Sequence, residues 1–416
     1  MSSELKAPYR LAAAFLLGMA IVHGVEFWQQ RGPILAGYGD FSSFYTSGLL
    51  LRQGEGRLFY DSREQWNLQQ QFAPNVAIRQ GPMPFIRPPF EAIVFLPLAF
   101  FPYPVAFGIW TFAKIILLWV SLRVVPRPFP FTRVYPYWLE ATLCLGFFPV
   151  FLDLFQGQDS ILLLLIVALA LHQLHAGKDA VAGAILALGL FKFHLLLPIA
   201  IVLWLAGRPR ILIGLLPGAA ALVGISCALS GASVLLTYPA YLFRLNQTPG
   251  VGFVTVQSMP NLRGVLSAFV GRSPNPGPIQ WVLFVAAIVA IVLNVVVWRP
   301  VINRGFQGLA LGYFLTLLVA ILTSYYNRVY DMSLLVIPLF LLGGFLDQQA
   351  DQLVLARGQR AMISTGLMLL IFTPLYWALI LQCDCPYLLV APMFILAMGI
   401  AGVMKRSERV VSSKLS

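Results

Sequence analysis

The chain alternates long apolar stretches with short polar breaks. Apolar stretches that approach or exceed the roughly 18 residues of a membrane helix fall at about 10–29, 103–125, 136–154, 159–175, 178–191, 194–206, 209–230, 279–298, 306–324, 329–346, 360–380 and 386–404. The pattern predicts an all-α polytopic membrane protein with about 12 transmembrane helices, residues 1–416 forming a single integral membrane domain. The first stretch is flanked by Lys6 and Arg10 and has no small-residue cleavage signature, so it is expected to be a retained helix. Segment 88–101 is apolar but short. At about 1.5 Å per residue it reaches only about 21 Å, and it ends at the Phe101-Pro102-Tyr103-Pro104 break. It is expected to be a re-entrant or interfacial helix.

Basic residues fall in alternate breaks. They are Arg123, Arg127 and Arg133, then Lys178, then Arg208 and Arg210, then Arg299 and Arg304, then Arg357 and Arg360. The tail adds Lys405, Arg406, Arg409 and Lys414. Cytoplasmic loops carry excess Lys and Arg, so both termini are expected in the cytoplasm. Counting 88–101 as a crossing would move the Arg123–Arg133 loop outside. Two long outer loops then remain, 30–102 and 231–278. Loops this long are usually functional or disordered, and these are patterned. Ser62 to Phe72, Val234 to Leu245 and Leu262 to Val270 are amphipathic, and the prolines of 81–89 favour extended backbone.

The first outer loop opens with Gly37-Tyr38-Gly39-Asp40-Phe41-Ser42-Ser43-Phe44-Tyr45-Thr46-Ser47-Gly48. Phe41, Phe44, Tyr45 and Gly48 recur at helical spacing, which predicts a helix lying flat in the interface with its apolar side down. Asp40 then stands at the lipid–water boundary. It is expected to be the N-cap of that helix or an acid placed to act on a lipid-linked substrate, and the two roles can coexist.

Composition agrees with the pattern. The chain is 59% hydrophobic and 11% charged, against about 25% charged in soluble domains. Its formal charge of +12 would point to nucleic acid in a soluble protein; here the basic loops account for it, and the expected surroundings are membrane lipids with no nucleic acid. Cys144 and Cys227 lie inside apolar stretches, and Cys383 and Cys385 are too close for an easy mutual disulfide. The spacing of Cys and His offers no metal site. There is no Gly-rich nucleotide loop, no Asp-Xaa-Asp pair for a metal–pyrophosphate, and no soluble stretch long enough for a Rossmann unit.

Several polar groups are expected at the outer ends of the helices, on the side of Asp40. They are Gln158 and Asp159 in Gln156-Gly157-Gln158-Asp159-Ser160, then Lys192 and His194, then Asn327, Arg328, Tyr330 and Asp331. Gln257, Ser258, Asn261 and Arg263 lie in the second long loop. Ionisable groups near a membrane are costly and point to function. Each has a structural alternative. Lys192 would snorkel, His194 would be a satisfied structural histidine, Asp159 would cap the next helix, Asp331 would pair with Arg328 along one face, and Arg263 would touch headgroups.

At these residues the chain resembles glycosyltransferase family 87, a branch of the polytopic GT-C superfamily. The pieces are Gly-Asp-Phe-Xaa-Xaa-Phe-Tyr at 39–45, Arg-Pro-Pro-Phe at 87–90, Gly-Gln-Asp-Ser at 157–160, the turn at Lys192, Asn-Leu-Arg-Gly at 261–264 and Tyr330-Asp331. The resemblance implies a GT-C-type helical bundle that moves a hexose, usually mannose, from a polyprenyl-phosphate carrier to a glycan or glycolipid acceptor outside the cytoplasm, at the plasma (inner) membrane. It implies inversion at the anomeric carbon, an acidic base at Asp40, and no metal or other cofactor. Substrate-binding residues are expected at Arg87, Gln158, Asp159, Lys192, His194, Arg263, Asn327, Arg328, Tyr330, Asp331 and Tyr45, with Lys192, Arg263 or Arg328 at the leaving phosphate and Phe44, Tyr45 and Trp66 shaping the sugar pocket. Two departures are visible: Phe193-His194 after Lys192, where relatives often carry a proline, and Tyr325-Tyr326-Asn327 before Tyr330. The competing classes are a flippase of lipid-linked sugars and a ligase using a diphosphate carrier.

Overall fold

The computed structural model describes residues 7–74, 81–125, 137–247, 256–270, 277–303, 305–350 and 356–415. Arg127, Arg133 and Arg304 lie outside the described residues. The described chain is helical, with no strand. In order, α1 is Ala7–Gln29, α2 Phe41–Arg52, α3 Ser62–Phe72, α4 Tyr103–Val124, α5 Tyr137–Leu145 and α6 Phe148–Gln156. Next come α7 Ser160–His175, α8 Asp179–Leu188, α9 Phe193–Ala206, α10 Ile211–Ser230, α11 Ala232–Gln247 and α12 Leu262–Val270. The last are α13 Gly277–Trp298, α14 Gly305–Thr323, α15 Val336–Ala350, α16 Arg357–Ile371, α17 Thr373–Trp377 and α18 Val390–Leu415.

Among the described residues, 7 helical runs are long and apolar enough to cross a membrane, or up to 8 if the bent pair after Arg357, angled by 63°, counts as one. The protein is therefore a multi-pass membrane protein. The other expected crossings appear as shorter helices, so the figure of about 12 remains an expectation. One long run, Asp179–Ala206, does not pass straight through. A straight helix of 28 residues would hold its ends about 40 Å apart, yet Arg208 Nη1 is 3.1 Å from Asp179 Oδ1. The run folds back at the 3₁₀ turn Gly189–Lys192, and Lys192 sits at the tip between two short legs.

Other contacts sort the ends of the bundle. His172 Nδ1 lies 2.7 Å from the Val124 carbonyl. Tyr313 donates to the Val167 carbonyl at 3.0 Å, and Trp298 to Gly308 at 3.1 Å. Arg123, Lys178, Arg208 and Arg299 stand at or beside these contacts, away from Gly157, Lys192 and Arg328.

Two expectations about the first long loop change. Helix α2 does not lie flat in an interface; it is buried on every side. Its polar face, Ser42, Ser43, Thr46 and Ser47, is as buried as Phe41, Phe44 and Leu50. The hydroxyls bond to their own turn, Ser42 to Gly39 O at 2.8 Å, Thr46 to Ser42 O at 2.6 Å and Ser47 to Phe44 O at 2.7 Å. A face satisfied by its own backbone needs no water. Segment 88–101 is not one helix but three short pieces, Pro89–Glu91, Ala92–Phe95 and Pro97–Phe100, none of spanning length.

Helix α3 holds the rest of this loop. Asp61 caps it, accepting from Arg63 N at 2.9 Å and Glu64 N at 3.1 Å. Gln65 and Gln69 are one turn apart on its buried face. Gln69 bonds both ways to the Met83 backbone, at 2.9 and 2.8 Å, and Gln65 Oε1 accepts from Phe85 N at 2.9 Å. Three tyrosines take the next carbonyls: Tyr241 that of Phe85, Tyr238 that of Ile86 and Tyr60 that of Arg87. The extended backbone of 83–87 has no ladder partner, so these side chains satisfy it. They also fix where Arg87 points.

Candidate active site

The 157–159 turn between α6 and α7 is the centre of the site. Gly157 has φ of 69°, and a Cβ there would stand 2.5 Å from Phe41 Cβ, so this loop and the start of α2 touch only because residue 157 is glycine. Asp40 lies against it. Its backbone N–H donates to Gln156 Oε1 at 3.3 Å, and its Oδ2 accepts from Gln158 Nε2 at 2.5 Å. Asp40 occupies the N-cap position of α2 but makes no side-chain capping bond. The capping alternative for Asp40 does not hold.

Nor does Asp159 cap α7, since its side chain makes no capping bond. That work falls to Asp153 one turn earlier, whose Oδ2 accepts from Ser160 N at 2.9 Å and Ile161 N at 3.3 Å. Asp153 also holds Lys114 Nζ at 3.0 Å in a pair with no exposed side-chain surface. Sequence reasoning passed over both residues, although a lone lysine and a lone aspartate inside apolar stretches were the signal for such a pair.

Relieved of capping, Asp159 pairs with Arg87, Oδ2 to Nε at 2.7 Å and Oδ1 to Nη2 at 3.0 Å. This is the bidentate geometry that suits a guanidinium and a carboxylate. Burial works against the charge of Arg87, but Asp159 and Glu91 beside it outweigh burial and raise its pKa, so it stays charged. Lys192 Nζ lies 2.5 Å from Asp159 Oδ1 and 2.5 Å from Asp331 Oδ1. Ser160 Oγ bridges to Asp331 at 2.9 Å. Asp331 Oδ2 accepts from the backbone N–H of Arg328 at 2.8 Å. The expected pairing of Asp331 with the Arg328 side chain is thus replaced by a bond to the Arg328 main chain. Lys192 does not snorkel either: it is fully buried between two carboxylates. Two ion pairs in series hold the tips of three helical turns together.

Glu91 completes this cluster. Its Oε2 is 3.7 Å from Arg87 Nε. As a carboxylate it finds no hydrogen-bond donor; as a carboxylic acid it donates to Asp159. Burial first, then the negative charge of Asp159, push its pKa well up, which favours the protonated acid.

A cavity of about 390 Å³ opens beside the cluster. Asp40, Arg87, Gln156, Gln158, His194, Ser258, Arg328, Tyr330 and Asp384 are among its polar lining. Its apolar lining includes Met83, Pro84, Ile86, Leu152, Phe191, Phe193, Leu242, Leu245 and Ile380. The Arg328 guanidinium bonds Ser258 Oγ and sits 5.9 Å over the Tyr326 ring. His194 Nε2 is buried without a partner at this wall. Sequence reasoning named Phe44, and it does line the cavity; it missed Gln65, Gln69, Tyr238 and Glu91.

The structure keeps six expected site residues out of the cavity lining. Lys192, Asp159 and Asp331 stand behind it as the ion-pair chain. Arg263 stacks 4.0 Å over the Tyr325 ring and donates to the Tyr325 carbonyl at 2.9 Å. Asn327 is buried and donates to Ile321 O at 3.1 Å. Tyr45, likewise, belongs to an aromatic cluster with Phe41, Phe72 and Tyr103, and its hydroxyl donates to Phe101 O at 2.7 Å. Tyr45 is therefore scaffold and not pocket wall, and Trp66 does not line the cavity.

A buried carboxylate–cation chain at the tips of a polytopic bundle, beside a cavity lined by polar and apolar side chains, defines a membrane protein with a candidate site at one end. The chain matches the model of glycosyltransferase family 87 over residues 85–325. That match covers more than half of the chain, which belongs to this family and is a glycosyltransferase. No curated protein and no solved structure matches it. The matched segment contains Arg87, Gln158, Asp159, Lys192, His194 and Arg263 and leaves Asp40, Tyr45, Asn327, Arg328, Tyr330 and Asp331 outside.

Proposed function

We propose that the protein transfers a hexose, with mannose the first choice, from a polyprenyl-phosphate carrier to a hydroxyl of a glycan or glycolipid on the extracytoplasmic face. The observation that carries this reading is that Asp40 and Arg328 line one cavity whose walls are apolar. Its volume, about 390 Å³, is in the range of small-molecule sites. Asp40 takes the proton of the acceptor hydroxyl as its oxygen attacks the anomeric carbon. The bond from that carbon to the phosphate oxygen breaks, the lipid phosphate leaves with the electron pair, and attack from the opposite face inverts the centre. Arg328 counters the charge that grows on the leaving phosphate. His194 Nε2, lacking a protein partner, is placed to bond a sugar or phosphate oxygen.

Charge supports the proposed side. The end of the bundle away from the site carries Arg123, Lys178, Arg208 and Arg299, and by the positive-inside rule this supports reading that end as cytoplasmic and the site as outside. The test is transfer by the purified protein in lipid nanodiscs, with polyprenyl-phosphate mannose, glucose and galactose offered against a membrane-lipid extract. One monophosphate donor supports transfer and the product anomer is inverted. Activity only with a polyprenyl diphosphate or a nucleotide sugar overturns the reading.

A further inference from the structure

We propose that Gln158 is the positioning residue of the base, holding Asp40 in line with the Arg87–Asp159 pair, and that it does not contact the substrate itself. The proposal rests on Asp40 being the base. Gln158 is buried, and its backbone is tied by a bond from its N–H to Asp153 O at 3.0 Å. Its amide has one chemically sensible orientation. Arg87 Nη2 can only donate, so the oxygen facing it at 3.5 Å must be Oε1. The nitrogen is thereby turned to Asp40 Oδ2, at 2.5 Å. The opposite orientation sets an oxygen against a carboxylate and an N–H against a guanidinium. Arg87 in turn is held by both oxygens of Asp159, and Asp159 by Lys192. The direction of the Asp40 carboxylate is therefore set by a chain of charges, with Gln158 the neutral link. Gln156 adds the main-chain hold on the same residue. A donor to a carboxylate favours its ionised form, so this link also serves a base that must start deprotonated.

Other charged groups face Asp40. Arg328 and Tyr330 both interact with its charge, while Arg87, His194, Tyr326 and Asp384 line the same cavity. These stay in place in a Gln158 variant, so the change read in that variant is that of the Gln158 link.

The experiment measures kcat, donor KM and the pH dependence of kcat/KM for Gln158→Ala, Gln158→Glu and Asp40→Asn in nanodiscs. A charge-assisted hydrogen bond and its pKa equivalent set the expected size. Gln158→Ala moves the acid limb up by roughly one to two pH units and lowers kcat, with donor KM within about twofold of wild type. Gln158→Glu, close in shape and still able to accept from Arg87, moves the limb at least as far because it places a second carboxylate beside Asp40; it decides the matter if Gln158→Ala does not fold. A raised donor KM with an unmoved acid limb overturns the proposal and makes Gln158 a substrate contact. An unmoved limb and unchanged kcat also overturn it. Near-normal turnover in Asp40→Asn instead removes the base reading, whatever Gln158 does.

Discussion

Lys192 and Asp331 are 139 residues apart in the chain and meet at 2.5 Å, with the same ammonium 2.5 Å from Asp159. The lysine at the tip of the folded-back run is thus a keystone between two carboxylates, and the consequence is measurable. Lys192→Met leaves Asp331 buried without its cation. Removing one partner of a buried pair costs about 3–5 kcal/mol. The variant should lose thermal stability in detergent by many degrees, and Lys192→Met/Asp331→Asn should recover part of it. A Lys192→Met protein of normal Tm whose only defect is a raised donor KM would return Lys192 to the phosphate.

Arg328 and Arg263 separate by location. Arg328 lines the cavity and is half-buried; Arg263 stacks on Tyr325 outside it. Loss of a charge-assisted bond is worth about 1.5–3 kcal/mol. Arg328→Ala should therefore lower kcat/KM for the donor by about 10- to 150-fold, and Arg263→Ala by less than tenfold. Steady-state kinetics with varied donor checks the order, and a larger effect at Arg263 would contradict the placement.

Asp40→Asn keeps the shape of the residue while removing the base. Transfer should fall about 10²–10⁴-fold with Tm and donor binding retained. Product formation and a thermal scan on the same preparation check both halves.

Glu91 carries a pH prediction with a definite sign. Burial and Asp159 raise its pKa in the folded protein. The stability it contributes is complete below its unfolded value and is lost as pH rises through the folded one. Glu91→Gln keeps a neutral hydrogen-bond donor and cannot ionise. Wild type and variant should match in Tm near pH 5, and the variant should be the more stable above pH 8. A wild type that gains on the variant as pH rises would mean that Glu91 is ionised.

The folded-back run predicts a topology. Cysteines at 179 and 208 should be joined by a short bifunctional maleimide, because Asp179 and Arg208 touch at 3.1 Å. Cysteines replacing Lys178 and Arg208 should both resist an impermeant thiol reagent that reaches one replacing Arg57. Labelling at 208 but not at 178 would mean that the run crosses once.

The apolar pattern carried much of this architecture, and the ends of α3 and α12 fall where the amphipathic stretches 62–72 and 262–270 put them. Local signals failed where side chains satisfy backbone at a distance. The hydroxyls of α2 look like a wet face in sequence; their bonds to the preceding turn leave no trace in the pattern. The acid before α7 in the chain is Asp159, but the acid that caps it is Asp153, because the Gly157 turn brings α6 back over the first turn of α7. Gln65 and Gln69 hold backbone 14–20 residues away, and nothing at 62–72 announces it. The candidate site residues were legible as types near a membrane end. Their division into cavity wall and ion-pair chain required partners 72–171 residues apart.

That separation also sets an order of assembly. In a chain made from its N-terminus, Asp40, Arg87 and the 156–160 turn emerge first, and Lys192 follows. Asp331 and Arg328 come only after α14, so for much of synthesis the Lys192 ammonium has Asp159 as its sole acidic partner from the finished cluster. The site is closed by almost the last quarter of the protein, and a ribosomal product cut short before Asp331 carries an unbalanced positive charge at the tip of a half-crossing hairpin.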